Sequence, residues 1–499
     1  MEQPLILLFS ILIVAAVFST KLSSRFGLPV LIAFIGIGIL VGSDVLNLFY
    51  FDDASLTKRI ADLLLVFILF DGGFRTTRRE LKAVAGPSLS LATAGVALTA
   101  LVLGLLIHFI AGFDLPRSLM IASIISSTDA AAVMLITRQH PIEGRLASTL
   151  NVESAANDPM AILLTLAFVG SLAGGSRWPA LVALDLSWQF SGGLLVGFLV
   201  AEASAFLFDR LDSENRGYYY VLIVGLVLLA YGLAGLLRAN GIIAVFFMGY
   251  RLGNAEFAGK RGVSNFLEGI AAFGNVALFL MLGLLAFPSK FAGVWKEGVA
   301  IAAIMILVAR PLAVLACTLP FRYSLKERLF LSWGGIKGAV PIVLATYPAA
   351  SGLDPEGRVF NIIFFAVLIS CLLQGTTLAP LARLLRLTVP ARPRPPYSVE
   401  LHTMRKSELD MFEIAVASGS EADGTRIKDL GLSGDTLVSS IVRKDRIIPP
   451  RGDTIVLAGD VLFVLASSAR IDAISESLNA PRKLLSDREA VEAEIESRR

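Results

Sequence analysis

Charge is scarce in this chain. Asp, Glu, Lys and Arg make up 17% of its 499 residues, where soluble domains carry roughly 25%. Hydrophobic residues reach 55% and the mean hydropathy is +0.72, which excludes an ordinary water-soluble protein. The 44 basic and 41 acidic residues leave a formal charge of +3, too little for a nucleic-acid partner. Cysteine is nearly missing. Cys317 and Cys371 both fall inside apolar runs; two thiols make neither a disulfide framework nor a zinc site, and they read as small buried hydrophobes. The three histidines, His108, His140 and His402, are scattered and form no metal cluster. No G-x-G-x-x-G follows a strand pattern, no T-V-G-Y-G filter is present, and no G-x-S-x-G or His-containing metal motif supports an enzyme. The first apolar run has no basic segment before it, so it reads as a membrane span and not as a cleavable leader.

Long apolar runs, by contrast, recur as far as about residue 388, the signature of membrane spans. Thirteen are expected, near 4–20, 28–43, 60–73, 87–111, 115–136, 146–173, 188–208, 217–237, 240–252, 265–287, 295–319, 328–350 and 358–383. Alternate loops hold Lys21, Arg25, Arg75, Arg78, Arg79, Lys82, Arg138, Arg145, Arg251 and Arg322, and the opposite loops hold fewer basic residues. The basic side is read as cytoplasmic, with the N-terminus outside and the C-terminus inside. The expected domains are a membrane domain over 1–388, a Pro-rich linker over 389–400, a soluble α/β module over 401–480 and a charged tail over 481–499.

Two of the runs are interrupted alike. The fifth carries Ser126, Ser127, Thr128 and Asp129 at mid-depth, and the twelfth carries Gly334, Gly335, Lys337, Gly338 and Pro341. Breaks at corresponding depths predict a pair of discontinuous helices from two six-helix repeats, spans one to six and eight to thirteen. Half-helix ends meeting at the midplane carry partial charges, which Asp129 and Lys337 are placed to offset.

The sixth run opens with "NVESAANDPMA". At helical spacing Glu153 and Asn157 share one face, and Ser154 and Asp158 share the next. Together with Thr128 and Asp129 they offer oxygen ligands and no sulfur, a set suited to a hard cation such as Na⁺ or K⁺. A carboxylate withdrawn from water favours a bound proton or metal ion over the free anion. That competition is the chemistry of cation:proton exchange.

The segments "SSTDAAAV", "ESAANDPMA", "ARPLAV", "WGGIKGAVPIVLA" and "QGTTLAP" resemble, in order and spacing, those of the monovalent cation:proton antiporters, most closely the NhaP-type branch related to the Na⁺/H⁺ exchangers. The resemblance implies an all-α polytopic protein with two inverted six-helix repeats and crossed discontinuous helices. It also implies a homodimer in the inner membrane, among membrane lipids, in which an ion-carrying core moves by alternating access. Carried over residue by residue, Asp158 is the carboxylate that binds proton and cation in turn, and Thr128, Asp129 and Ser154 line the site or hold the crossing. Asn157 marks electroneutral exchange. Glu153 pairs with a basic residue of the twelfth span, here Lys337 in place of the usual arginine, and Arg310 supports the core. In the third span Asp71 of "FDGG" stands where related exchangers have glutamate.

Past the linker, "GTRIKDLGLSGDTLVSSIVRKDRIIPPRGDTIVLAGDVLFVLAS" resembles the TrkA-C module of potassium-transport regulators. Strands are expected over "FEIAVAS", "TLVSSIVRK" and "DTIVLAGDVLFVLAS", with a helix-like "GTRIKDLGL". The resemblance implies a regulatory role, with a cyclic dinucleotide or other nucleotide as effector and Arg443, Lys444 and Arg446 as its contacts. The expected function is an antiporter exchanging K⁺, or Na⁺, for protons in cation and pH homeostasis. No cofactor and no enzymatic activity are expected. The competing reading is a ligand-gated cation channel with a cytoplasmic regulatory ring.

Overall fold

The computed structural model describes residues 2–26, 29–129, 133, 142–174, 179–211, 215–389, 409–432, 436–444, 446–467 and 470–480. The expected charged tail, nearly all of the Pro-rich linker and most of the second half of the fifth apolar run lie outside the described residues. The chain divides into two units, Met1–Val389 and Pro390–Arg499.

The first unit is helical, and each expected apolar run contains a helix. In chain order these are α1 (Glu2–Phe26), α2 (Val30–Val41), α3 (Ala54–Arg75), α4 (Arg78–Ala111), α5 (Leu115–Ile125), α6 (Gly144–Leu172) and α7 (Pro179–Arg210). They continue as α8 (Gly217–Leu236), α9 (Gly241–Gly253), α10 (Lys260–Leu284), α11 (Trp295–Thr318), α12 (Leu325–Trp333), α13 (Ala339–Ala350) and α14 (Arg358–Leu384). Among the described residues, seven helices are long and apolar enough to cross a membrane: α4, α6, α7, α8, α10, α11 and α14. Further apolar helical segments of 10–17 residues lie in α1, α2, α5, α9 and α13. Large apolar side chains such as Phe18, Phe109 and Val221 stay exposed; on a helix in lipid such a surface carries no penalty.

The two interruptions have local causes. α5 stops at Ile125, where the Ser126 hydroxyl donates to the Ser123 carbonyl at 2.6 Å, a local bond that competes with the helical ladder. α12 stops before Gly334, and α13 resumes after Gly338, whose backbone (φ −125°, ψ −143°) is not helical. Two of these glycines are needed for space. A Cβ on Gly335 would run into the Arg310 guanidinium, and one on Gly338 would run into the Asp129 carboxylate.

α4 and α11 each contain one π-helical turn, at Leu91–Gly95 and Met305–Ala309. Each such turn inserts an extra residue, and at 3.6 residues per turn that rotates everything after it by about 100°. In α11 the first residue after the turn is Arg310.

The second unit is small and strand-rich. Strands β1 (Leu409–Ala415), β2 (Leu437–Arg443), β3 (Arg446–Ile448) and β4 (Val461–Ser467) form an antiparallel sheet in the order β1-β4-β2-β3. Central β4 is buried on both faces: Leu462 and Val464 pack with Ile414, Val438 and Ile441, while Val461 and Phe463 pack with Val442. The helix expected in "GTRIKDLGL" is a single 3-10 turn, Ile427–Asp429, too short for a helix between its two flanking glycines. The third expected strand is shorter too, because the chain turns at Gly459 (φ +84°) before β4 begins. A helix that the sequence reading left out, α15 (Ile471–Asn479), follows β4.

Candidate ion site

The two interruptions meet. The backbone N–H of Asp129 donates to the Ile336 carbonyl at 2.8 Å, and the Lys337 ammonium donates to the Ser126 carbonyl at 3.0 Å. Lys337 therefore stands at the C-terminal end of α5, where the helix dipole leaves partial negative charge, and it is 1% exposed. The Asp129 side chain packs against Gly338 at the N-terminal end of α13, where the partial charge is positive.

α6 packs beside this crossing and is tied to it by side chains. Asn157 Nδ2 donates to Thr128 Oγ1 at 2.6 Å, and Asn157 Oδ1 accepts from the Thr128 N–H at 3.3 Å. Thr128 Oγ1 also lies 2.8 Å from Ser154 Oγ. Both groups of the Asn157 amide are used in holding the break against α6.

A cavity of about 260 Å³ reaches this junction. Thr128, Asp129, Ser154 and Asp158 line its deep end, and Asp71, Arg75, Thr76, Thr77 and Glu80 line it toward the α3–α4 turn. Asp158 is 7% exposed, and its Oδ1 is buried without a hydrogen-bond partner among the described residues. An ionised carboxylate left so costs several kcal/mol unless a proton or cation neutralises it. The lining oxygens are hard donors, the kind an alkali cation takes. Asp71 shares the cavity, but both its oxygens lie 2.9 Å from Arg75 Nε, and Arg75 also reaches Glu268 at 3.3 Å.

At the other end of α3 the packing is closed. Tyr347 of α13 donates to Asp62 at 2.6 Å; Lys58 lies 2.6 Å from the same carboxylate and 4.2 Å from the Tyr347 ring centroid. The sequence does not single out Asp62 and Tyr347, because Asp62 lies in an unbroken run and Tyr347 stands nine residues past the Gly338 break.

Residues 10–384 match the family described as sodium/hydrogen exchanger, transmembrane. The chain belongs to the sodium/hydrogen exchanger family. Residues 411–479 of this exchanger match the TrkA-C domain. A protein of Shewanella oneidensis named K(+)/H(+) antiporter NhaP2 is 34% identical over 475 residues, covering 94% of this chain and 82% of its own length. One from Alkalimonas amylolytica, named K(+)/H(+) antiporter NhaP, is 34% identical over 478 residues, covering 95% and 83%. The solved sodium proton antiporter MjNhaP1 of Methanocaldococcus jannaschii has the same fold, with a TM-score of 0.65 at 23% identity over 77% of this chain and 99% of that one.

One expectation is corrected by the exchanger's geometry. Glu153 pairs with Arg310 and not with Lys337: Arg310 Nη1 lies 2.5 Å from Glu153 Oε1, with the two side chains 4% and 0% exposed. Arg310 takes this place because the π-turn before it aims it there, while the carbonyl end of α5 engages Lys337. In the TrkA-C unit Arg443 is held within the fold. It grips Asp460 with Nε and Nη2 at 2.8 and 2.7 Å and donates to the Ile455 carbonyl at 2.7 Å. Those bonds to Asp460 raise the arginine's pKa still further. Lys444 and Arg446 are exposed in the β2–β3 turn.

Proposed function

We propose that this exchanger moves one monovalent cation, K⁺ in preference to Na⁺, against one proton across the cell's inner membrane by alternating access. The observation that carries the reading is Asp158, whose Oδ1 is buried without a hydrogen-bond partner among the described residues, at the deep end of a cavity lined by hydroxyls and carboxylates. Glu153 is matched by Arg310, and the Asn157 amide is spent on Thr128. Asp158 is then the group that takes a proton or a cation in each cycle, which favours an electroneutral one-for-one exchange. K⁺ is favoured because the relatives named K(+)/H(+) antiporters align over 94–95% of the chain. One named Na(+)/H(+) antiporter NhaH, from Halobacillus dabanensis, aligns over 71% at 28% identity.

Thirteen crossings in two inverted six-helix repeats account for paired interruptions in the fifth and twelfth runs and for π-turns in the fourth and eleventh. With the basic loops inside, the mouth at Thr76–Glu80 faces the cytoplasm and the Tyr347–Asp62–Lys58 contact closes the outer side. Alternating access then requires that contact to part as the mouth shuts. The protein works as a homodimer, with the TrkA-C unit in the cytoplasm as a regulator answering to a nucleotide.

Purified exchanger in proteoliposomes tests the reading, with K⁺, Na⁺ and Li⁺ supplied in turn against an imposed pH gradient. Proton flux that follows K⁺ and ignores a valinomycin-clamped potential is the expected result. Moving a net charge is worth about 2.3 kcal/mol per 100 mV, so a rate that tracks the potential refutes electroneutrality. Cation flux with no proton in return would restore the channel reading.

A further inference from the structure

Asn151 lies seven residues before Asp158 on α6. That spacing puts both side chains on one face, about 10 Å apart along the axis. Ser154 and Ala155 line the cavity wall between them, and Asn275 of α10 lines the same cavity. The two asparagines of α6 differ in what they hold. Asn157 binds Thr128 through both groups of its amide. Among the described residues no hydrogen bond of Asn151 ties one element to another, and its Oδ1 is buried without a donor. A buried amide oxygen without a partner is unfavourable, and here it lines the route between the α3–α4 mouth and Asp158.

We propose that Asn151 is a ligand for the transported cation during its passage between that mouth and Asp158. This rests on the cavity being the transport path. Its amide oxygen is a hard, uncharged donor. Such a donor replaces part of an alkali ion's water shell without binding it as tightly as a carboxylate, and it cannot exchange a proton. Its role is therefore in cation affinity and not in proton coupling. The role is also one-sided, because Asn151 stands on the Gly144 side of Asp158. An ion that reaches Asp158 from the opposite face of the membrane does not pass it.

The test compares wild type with Asn151→Ala and Asn151→Gln in everted and right-side-out vesicles, with K⁺ varied on the exposed face. For Asn151→Ala the cation KM should rise about 3- to 10-fold, equivalent to roughly 0.7–1.4 kcal/mol, in the vesicles that expose the α3–α4 turn. KM from the other face and thermal stability should stay as in wild type. Asn151→Gln, which keeps an amide oxygen, should recover part of the affinity. Unchanged KM on both faces overturns the proposal, and so does an equal rise on both faces or a loss of stability with KM intact. A wild-type protein without cation-dependent proton flux would defeat the antiport reading itself; an active exchanger indifferent to Asn151→Ala defeats only this inference.

Discussion

At Glu153, α6 sets a carboxylate against the Arg310 guanidinium, 2.5 Å away and sealed from solvent. Five residues later, at Asp158, the same helix sets a carboxylate at the wall of a cavity with an oxygen, Oδ1, that accepts no hydrogen bond among the described residues. The first charge is answered permanently from within the fold, and its work is to hold α6 to α11. The second is left for something mobile to answer. The buried ion pair and the proposed transport site thus differ less in the acid than in whether the chain closes a contact on it: Arg310 touches Glu153, while Lys337 acts on Asp158 only through space and donates to the Ser126 carbonyl.

The contrast can be broken most decisively at Asp158. Asp158→Asn should abolish cation-dependent proton flux in proteoliposomes, because an amide neither releases a proton nor neutralises a cation. Its unfolding temperature in detergent should remain near that of wild type; wild-type-like flux would remove Asp158 from the site. Next in size is the fixed pair. Arg310→Ala strands a buried carboxylate at a cost of roughly 3–5 kcal/mol, read as a fall in thermal stability, and adding Glu153→Gln should recover part of that loss. Strictly additive losses would mean that the two side chains do not depend on each other.

The same contrast recurs on a smaller scale in the TrkA-C unit. Asp460 is 1% exposed and gripped by Arg443, whose side chain is itself 31% exposed. Arg443→Ala should destabilise that unit by about 1–2 kcal/mol, the lower part of the range for bonds to charged groups once solvent screening is allowed for. Lys444→Ala and Arg446→Ala should each stay within about 0.5 kcal/mol. Equal effects at all three positions, measured by chemical unfolding, would erase the distinction drawn between them.

The apolar helices were legible in the sequence because a span needs a run of apolar residues long enough for the bilayer, and polar or glycine-rich breaks in such runs stand out. The grouping of Thr128, Ser154, Asn157 and Asp158 was legible for the same reason, together with helical spacing. The partner of Glu153 was not. Lys337 and Arg310 were both available, and the choice turned on a π-turn at Met305–Ala309 that no 3.6-residue periodicity reveals. Asp460 as the partner of Arg443 was equally hidden. The two lie 17 residues apart, and only the β2–β4 register, Val442 opposite Val461, brings them side by side. Asn151 carried a usable signal, seven residues from Asp158 on the same face, but one asparagine near a helix start does not declare what it holds.

The bond from the Asp129 N–H to the Ile336 carbonyl has a consequence for observation. An amide outside any helix, beside a cavity that reaches the surface, would ordinarily trade its hydrogen for deuterium quickly. This one is held by the opposing break, so it becomes available to solvent only when the two breaks come apart. Deuterium uptake at Asp129 is therefore a clock for that separation. Under the alternating access proposed above, a crossing that travels as one rigid piece leaves this amide protected in both facing states, while the amides around Tyr347 and Asp62 gain and lose protection with each turn.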